Sequence, residues 1–152
     1  MKRFLVPLVL VMALVIPSQA AAGTRGYTGA VETGGTLSFK LKSRKGKKKI
    51  LRRTFTFGAI PIQCAAGPST AGAQLTFTMK VNEKGKFGAR AIDQEGGGSS
   101  LRVKGKLKRK GRRAGGTIRI FGETPLEDGT TGTECDTGKL SWAAKRTPEG
   151  TV

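Results

Sequence analysis

Leu37-Ser38-Phe39-Lys40-Leu41-Lys42 alternates apolar and polar side chains at every step. Successive side chains of an extended strand point to opposite faces, so this spacing builds a strand with one buried and one wet face. An amphipathic helix would instead repeat its apolar residues every third or fourth position. The same period of two returns downstream. Leu75, Phe77, Met79 and Val81 alternate with Thr76, Thr78 and Lys80, and Leu101, Val103 and Leu107 face Arg102, Lys104 and Lys106. Ile118 and Ile120 flank Arg119, while Leu140, Trp142 and Ala144 flank Ser141 and Ala143. No segment after residue 22 carries helical periodicity. Strands are expected near 27–33, 36–42, 49–57, 74–81, 86–92, 100–107, 115–121 and 138–145. Short strands at this spacing, with Gly-rich turns between them, predict an all-β fold. The expected architecture is an antiparallel β-sandwich of about 7–8 strands, with an antiparallel β-barrel as the alternative. Gly34-Gly35, Gly96-Gly97-Gly98 and Gly115-Gly116 fall between strands and not before a helix, so they read as turns and not as phosphate cradles.

Upstream of the strands the pattern changes. Met1-Lys2-Arg3 opens positively, an apolar run follows from Phe4 to Ile16, and Pro17-Ser18-Gln19-Ala20-Ala21-Ala22 closes it. These are the three parts of a secretory signal peptide, with cleavage expected after Ala20 or Ala22. The run of about 13 residues is well short of the roughly 20 that a permanent membrane helix needs, so no permanent span is expected. No Cys follows the run, and no lipoprotein is expected. The expected organisation is a signal peptide over 1–22, one domain over 23–146 and a disordered tail over 147–152. The protein is expected outside the cell or in the envelope, as a monomer.

Export bears on the cysteines. Cys64 and Cys135 are the two in the chain, and an oxidising compartment favours a disulfide between them over a metal or redox site. If each strand from residue 36 onward crosses the domain once and runs antiparallel to its predecessor, successive connections fall at alternate ends. One end then receives turns 43–48, 82–86 and 108–114, and the other receives loops 58–73, 93–99 and 122–137. Both cysteines fall in the second set, as a disulfide requires.

The same alternation sorts the charges. The chain of 152 residues carries 28 Lys+Arg against 10 Asp+Glu. Arg44, Lys45, Lys47 and Lys48 sit in the first turn, Glu83, Lys84 and Lys86 in the second, and Lys108, Arg109, Lys110, Arg112 and Arg113 in the third. The opposite loops hold Asp93, Glu95, Glu123, Glu127, Asp128, Glu134 and Asp136. An electrically polar domain is expected, basic at its hairpin tips and acidic around the disulfide. Clustered Lys and Arg attract polyanions by releasing their counterions. Outside a cell those are wall polymers of the teichoic type, acidic polysaccharides, anionic lipid head groups and released nucleic acid. Sequence-specific nucleic-acid reading is not expected, because base stacking needs exposed aromatics and most of the seven Phe, one Tyr and one Trp fall at inward strand positions. Trp142, in register with Leu140 and Ala144, reads as core.

Catalysis has little to work with. The chain has no His, which excludes Ser-His-Asp and Cys-His nucleophiles, HExxH zinc sites and imidazole pH switches. No Gly-x-Ser-x-Gly elbow occurs. Glycoside hydrolysis needs two carboxylates, which Asp93 or Glu95 with Glu127 or Asp128 would have to supply. Asp128, Glu134 and Asp136 with loop carbonyls are the groups a calcium ion would take, but their spacing is not that of an EF-hand loop, so no metal and no cofactor is expected.

The segments GKF (85–87), LRVKGKL (101–107), AGGTIRI (114–120) and CDTGKLSWAAKR (135–146), together with Cys64, resemble a group of small exported all-β proteins predicted in actinobacterial genomes. That group shares a signal peptide, two cysteines and a closing Cys-x-Thr/Ser-Gly-x-x-x-Trp-x-Ala-x-Arg stretch. The resemblance spans 36–146 and implies a sandwich-like exported domain; it carries over no activity and no functional residue. The expected function is non-enzymatic binding of an anionic envelope or extracellular polymer through the basic turns. The alternatives are a structural envelope protein whose charge serves solubility alone, and a carbohydrate-active enzyme using the loop carboxylates.

Overall fold

The computed structural model describes residues 23–76, 78–92, 98 and 100–148. Residues 1–22, where a signal peptide is expected, Phe77, Asp93, Glu95 and residues 149–152 lie outside them. The fold is all-β, and every strand pairing is antiparallel. Eleven strands occur among the described residues: β1 Gly23–Val31, β2 Thr36–Arg44, β3 Lys47–Ile50, β4 Thr56–Cys64, β5 Gly67–Gln74, β6 Met79–Val81, β7 Lys86–Ile92, β8 Ser100–Lys108, β9 Arg113–Pro125, β10 Thr131–Asp136 and β11 Leu140–Arg146. The sheet runs β5-β4-β10-β9-β11-β1-β2-β3-β6, with β7 paired to β8 and β8 to β9. An additional β4–β2 pairing folds it back on itself. The result is a sandwich-like double layer and not a clean barrel.

Eleven strands make eight crossings of the domain. β3 and β4 both run along one edge of β2, with Leu41 to Arg44 opposite β3 and Thr36 to Ser38 opposite β4. β10 and β11 likewise share one edge of β9, Asp136 opposite Phe121 and Leu140 opposite Ile118, and β5 and β6 run the same way, beside β4 and β3 in turn. The break between β3 and β4 is a turn with Arg53 at φ 57°. There the Thr54 hydroxyl oxygen accepts the Lys40 N–H at 3.1 Å and the hydroxyl donates to the Leu51 carbonyl at 2.7 Å. The side chain thus does the ladder's work while the backbone turns away.

Two segments expected as loops are hairpins. Residues 58–73 form most of β4 and β5, and 122–137 form the end of β9 and β10. In β4, Ile60, Ile62 and Cys64 are buried while Pro61 and Gln63 are exposed. That is a period of two carried through a Pro- and Gly-rich stretch that reads locally as turn. The strand exists because its ladder with β5, from Cys64↔Gly67 to Ile60↔Ala71, supplies the pairing that propensity does not.

The inward faces enclose one apolar core. Leu37, Phe39, Leu41, Leu75, Met79, Val81, Val103, Ile118, Ile120, Leu140, Trp142 and Ala144 are all buried, as their alternation requires; Leu101 and Leu107 are partly buried against them. Phe39 is the hub. Tyr27 stacks on it at 4.7 Å and Phe55 at 5.5 Å, while Trp142 meets it edge-on at 6.2 Å. Trp142 is admitted by Gly105, where a Cβ would collide with the Phe87 and Trp142 rings, and Gly116 lets β9 lie close to β8, since a Cβ there would collide with the Lys104 carbonyl. Cys64 and Cys135 form the disulfide, with Cα atoms 3.9 Å apart. It ties the β4–β5 hairpin to the β9–β10 hairpin next to the Gln63↔Asp136 pair.

Candidate polyanion-binding site

Antiparallel pairing throughout puts the β2–β3, β6–β7 and β8–β9 connections at one end of the domain. The β1–β2, β4–β5, β7–β8 and β9–β10 connections are at the other. Arg44, Lys45, Lys47, Lys48, Lys84, Lys86, Lys108, Arg109, Lys110, Arg112 and Arg113 are all exposed at the first end. The turns are built from backbone that costs energy. The β2–β3 hairpin closes on Lys45 and Gly46, both at positive φ (48° and 75°), as a two-residue mirror-image turn demands. Arg109 and Lys110 have φ 50° and 55° before Gly111 at 80°. A left-handed backbone costs an L residue with a Cβ roughly 1–2 kcal/mol and suits Gly or Asn. Long cations occupy these positions instead. The β8–β9 turn is nevertheless held in place, because the Tyr27 hydroxyl donates to the Gly111 carbonyl at 2.6 Å and the Arg146 N–H to the Arg112 carbonyl at 3.0 Å. Burial, opposed by Arg25 and Arg146, raises the Tyr27 pKa, so the phenol stays a donor.

Between the β2–β3 hairpin and the β6–β7 turn lies a groove of about 990 Å³. Its lining includes Lys42, Arg44, Lys45, Lys47, Lys48, Lys49 and Lys80, with Glu83 as the acid among them. Three of these cations form a cross-strand row: Lys42 stands opposite Lys49, and Lys49 opposite Lys80. Like charges directly opposite on a sheet repel, so this row destabilises the free protein.

The row is one of several. Arg44 faces Lys47; Lys86 faces Lys106; Arg90 faces Arg102, which faces Arg119; Lys108 faces Arg113, which faces Lys145. Lys42, Lys49, Lys80, Arg90, Arg102, Lys104, Lys106 and Lys145 are exposed, yet turn position does not single them out. The outward phase of each strand's alternation does, once the register between strands is known. A second, shallower depression of about 280 Å³ lies among Lys86, Lys104, Lys106, Gly115, Gly116 and Thr117 on the outer face of β7–β9.

Glu127, Asp128 and Asp136 of the far end are engaged. Glu127 accepts the Ala59 N–H and the Thr70 hydroxyl, fixing the bulge between Phe57 and Ile60 where Ala59 has φ 52°. Asp128 accepts the Thr130 hydroxyl at 2.6 Å and its N–H at 2.9 Å, which lower its pKa. Asp136 is paired with Arg119 at 2.5 Å and lies on the β9 flank, away from the turn carrying Asp128. Among the described residues no three His, Cys, Asp or Glu side chains converge as a metal-holding group. Asp128, Glu134 and Asp136 are therefore not gathered as cation ligands. Tyr27, Phe39, Phe55, Phe57, Phe87 and Trp142 are buried. Phe121 is partly covered by Arg102 and Arg119, 5.5 and 5.1 Å from its ring centre. No helix among the described residues is long and apolar enough to cross a membrane. In comparisons with protein families, curated proteins and solved structures, nothing matches the chain.

Proposed function

We propose that the protein is a non-enzymatic binder of an anionic polymer, which it holds in the groove between the β2–β3 hairpin and the β6–β7 turn. The observation that carries this reading is the lining of that groove, seven cations against one acid. Two features support it. Strained backbone is retained so that Lys45, Arg109 and Lys110 can stand at turn tips, and the cross-strand lysine row carries a repulsion that a bound polyanion would remove. Solubility alone calls for dispersed charge of both signs and not for like charges in register. Lys predominates over Arg in the groove, so the ligand is held by point charges and without bidentate geometry. The ligand class is a wall or extracellular polyanion. Export belongs to this proposal: residues 1–22 have the layout of a signal peptide, and a buried disulfide suits an oxidising compartment.

The test is retention on an immobilised anionic polymer at rising salt, for two variants of equal net charge. Lys42→Ser/Lys49→Ser/Lys80→Ser removes the groove row, while Gln63→Glu/Thr131→Glu/Thr133→Glu adds three acids at the exposed far end. The groove variant is expected to elute far earlier and to lower the slope of log affinity against log salt by about three. Coincident elution of the two variants would show that net charge alone governs retention.

A further inference from the structure

The groove does not end at Glu83. Asn82, on its lining, accepts the Lys86 N–H on its side-chain oxygen at 2.8 Å and donates its own N–H to the Lys86 carbonyl at 2.9 Å. Lys86 in turn opens the outer face of β7–β9, where it stands opposite Lys106. On that face the cations of β8 recur at every second residue, Arg102, Lys104, Lys106 and Lys108, all exposed. Strand rise spaces them about 6.7 Å apart. The depression beside them has Gly115 and Thr117 in its wall, so Thr117 places a hydroxyl among the cations. Lys108, Arg113 and Lys145 continue the run to β11.

We infer that the groove and the outer face of β7–β9 are two limbs of one track, and that its ligand is a flexible, single-chain polyanion with oxyanion groups repeated along it. This rests on the anionic-polymer reading above and extends it. The five paired strand-to-strand steps from β2 to β11 amount to about 24 Å at 4.8 Å each, with the β6–β7 turn adding to them, around a curved surface. A nucleic-acid duplex, with a persistence length of about 50 nm, is too stiff to follow that path; a single chain follows it. Base or sugar stacking has no platform on the track, since the described aromatics are buried or, in Phe121, covered by arginines. The groove and the depression therefore meet their ligand by charge, through lysine ammoniums that approach an oxyanion from any direction.

The probe is inorganic polyphosphate of graded chain length, titrated into the full disulfide-bonded protein, with binding stoichiometry and affinity measured together. Chains shorter than the span are expected to bind two per protein, one on each limb. Chains longer than the span should bind one per protein and about a hundredfold more tightly, as bivalent engagement predicts. Lys86→Ser/Lys104→Ser/Lys106→Ser should reduce the long chain to the short-chain affinity; Lys104→Glu alone, read with a melting curve, serves if the triple variant fails to fold. Unchanged long-chain affinity in these variants, with loss in the groove variant, overturns the two-limb track and leaves the groove reading standing. Absence of polyphosphate binding at every length overturns both. Duplex DNA binding as tightly as polyphosphate of equal charge overturns the flexible-chain assignment.

Discussion

At the scale of single residues, the cost of the basic end is local and measurable. Lys45 occupies a left-handed turn position that Asn adopts more readily. Lys45→Asn is expected to stabilise the fold by about 0.5–1 kcal/mol while weakening anion binding, a trade that denaturant titration and a binding isotherm check together. Asp136 gives the acid response. The Arg119 hydrogen bond, reinforced by the Gly138 N–H and the Arg119 charge and opposed by burial, lowers its pKa in the folded protein. A lowered folded value contributes stability that is present above the unfolded value of about 3.9 and is lost as pH falls through the folded one. Wild type should therefore melt above Asp136→Asn at pH 7, and the two curves should converge below about pH 4. A constant offset down to pH 2 would remove the ion pair from the account. Neither residue's role could be read from its neighbours in sequence: Lys45 looks like any turn cation, and Arg119 and Asp136 meet only because β10 lies on β9.

At the scale of elements, the alternation of Leu37 to Lys42 and its echoes carried far. It located the strands expected at 36–42, 86–92, 100–107, 115–121 and 138–145, Trp142 in the core and, through alternating connections, the common end of the three basic turns, while the single strand expected over 49–57 breaks between β3 and β4. It fell short where side chains are small. Gly67 to Gln74 has almost no apolar period and forms a strand because β4 lies beside it. The like-charge rows were also out of reach, since facing residues such as Lys49 and Lys80 are paired only by inter-strand register. These rows make a prediction about salt. Eight adjacent like-charged pairs, each costing a few tenths of a kcal/mol, should make the melting temperature rise as inorganic phosphate is added; a fall or no change would mean that the side chains splay apart at no cost. The disulfide closes a long loop across a sequence separation of 71, for which chain entropy gives about 4.4 kcal/mol. Reduction should lower the melting temperature on the order of 10–20 °C. An unchanged melt would contradict the link between the two far-end hairpins.

At the scale of the whole molecule, eight antiparallel crossings convert a basic composition into a directed surface. Cations gather at one end and along one outer face, and the far-end acids Glu127 and Asp128 are occupied in holding turns. Composition alone supplied the sign of the surface charge, and connection order supplied the end where it gathers. The groove itself needed the three-dimensional meeting of Lys42, Lys49 and Lys80. The most direct measurement of the central claim is a backbone amide chemical-shift map during titration with polyphosphate. Binding in the groove predicts saturable shifts concentrated in residues 42–49 and 80–83, with residues 127–133 unmoved. Shifts spread evenly over every exposed cation, or none at all, would contradict it.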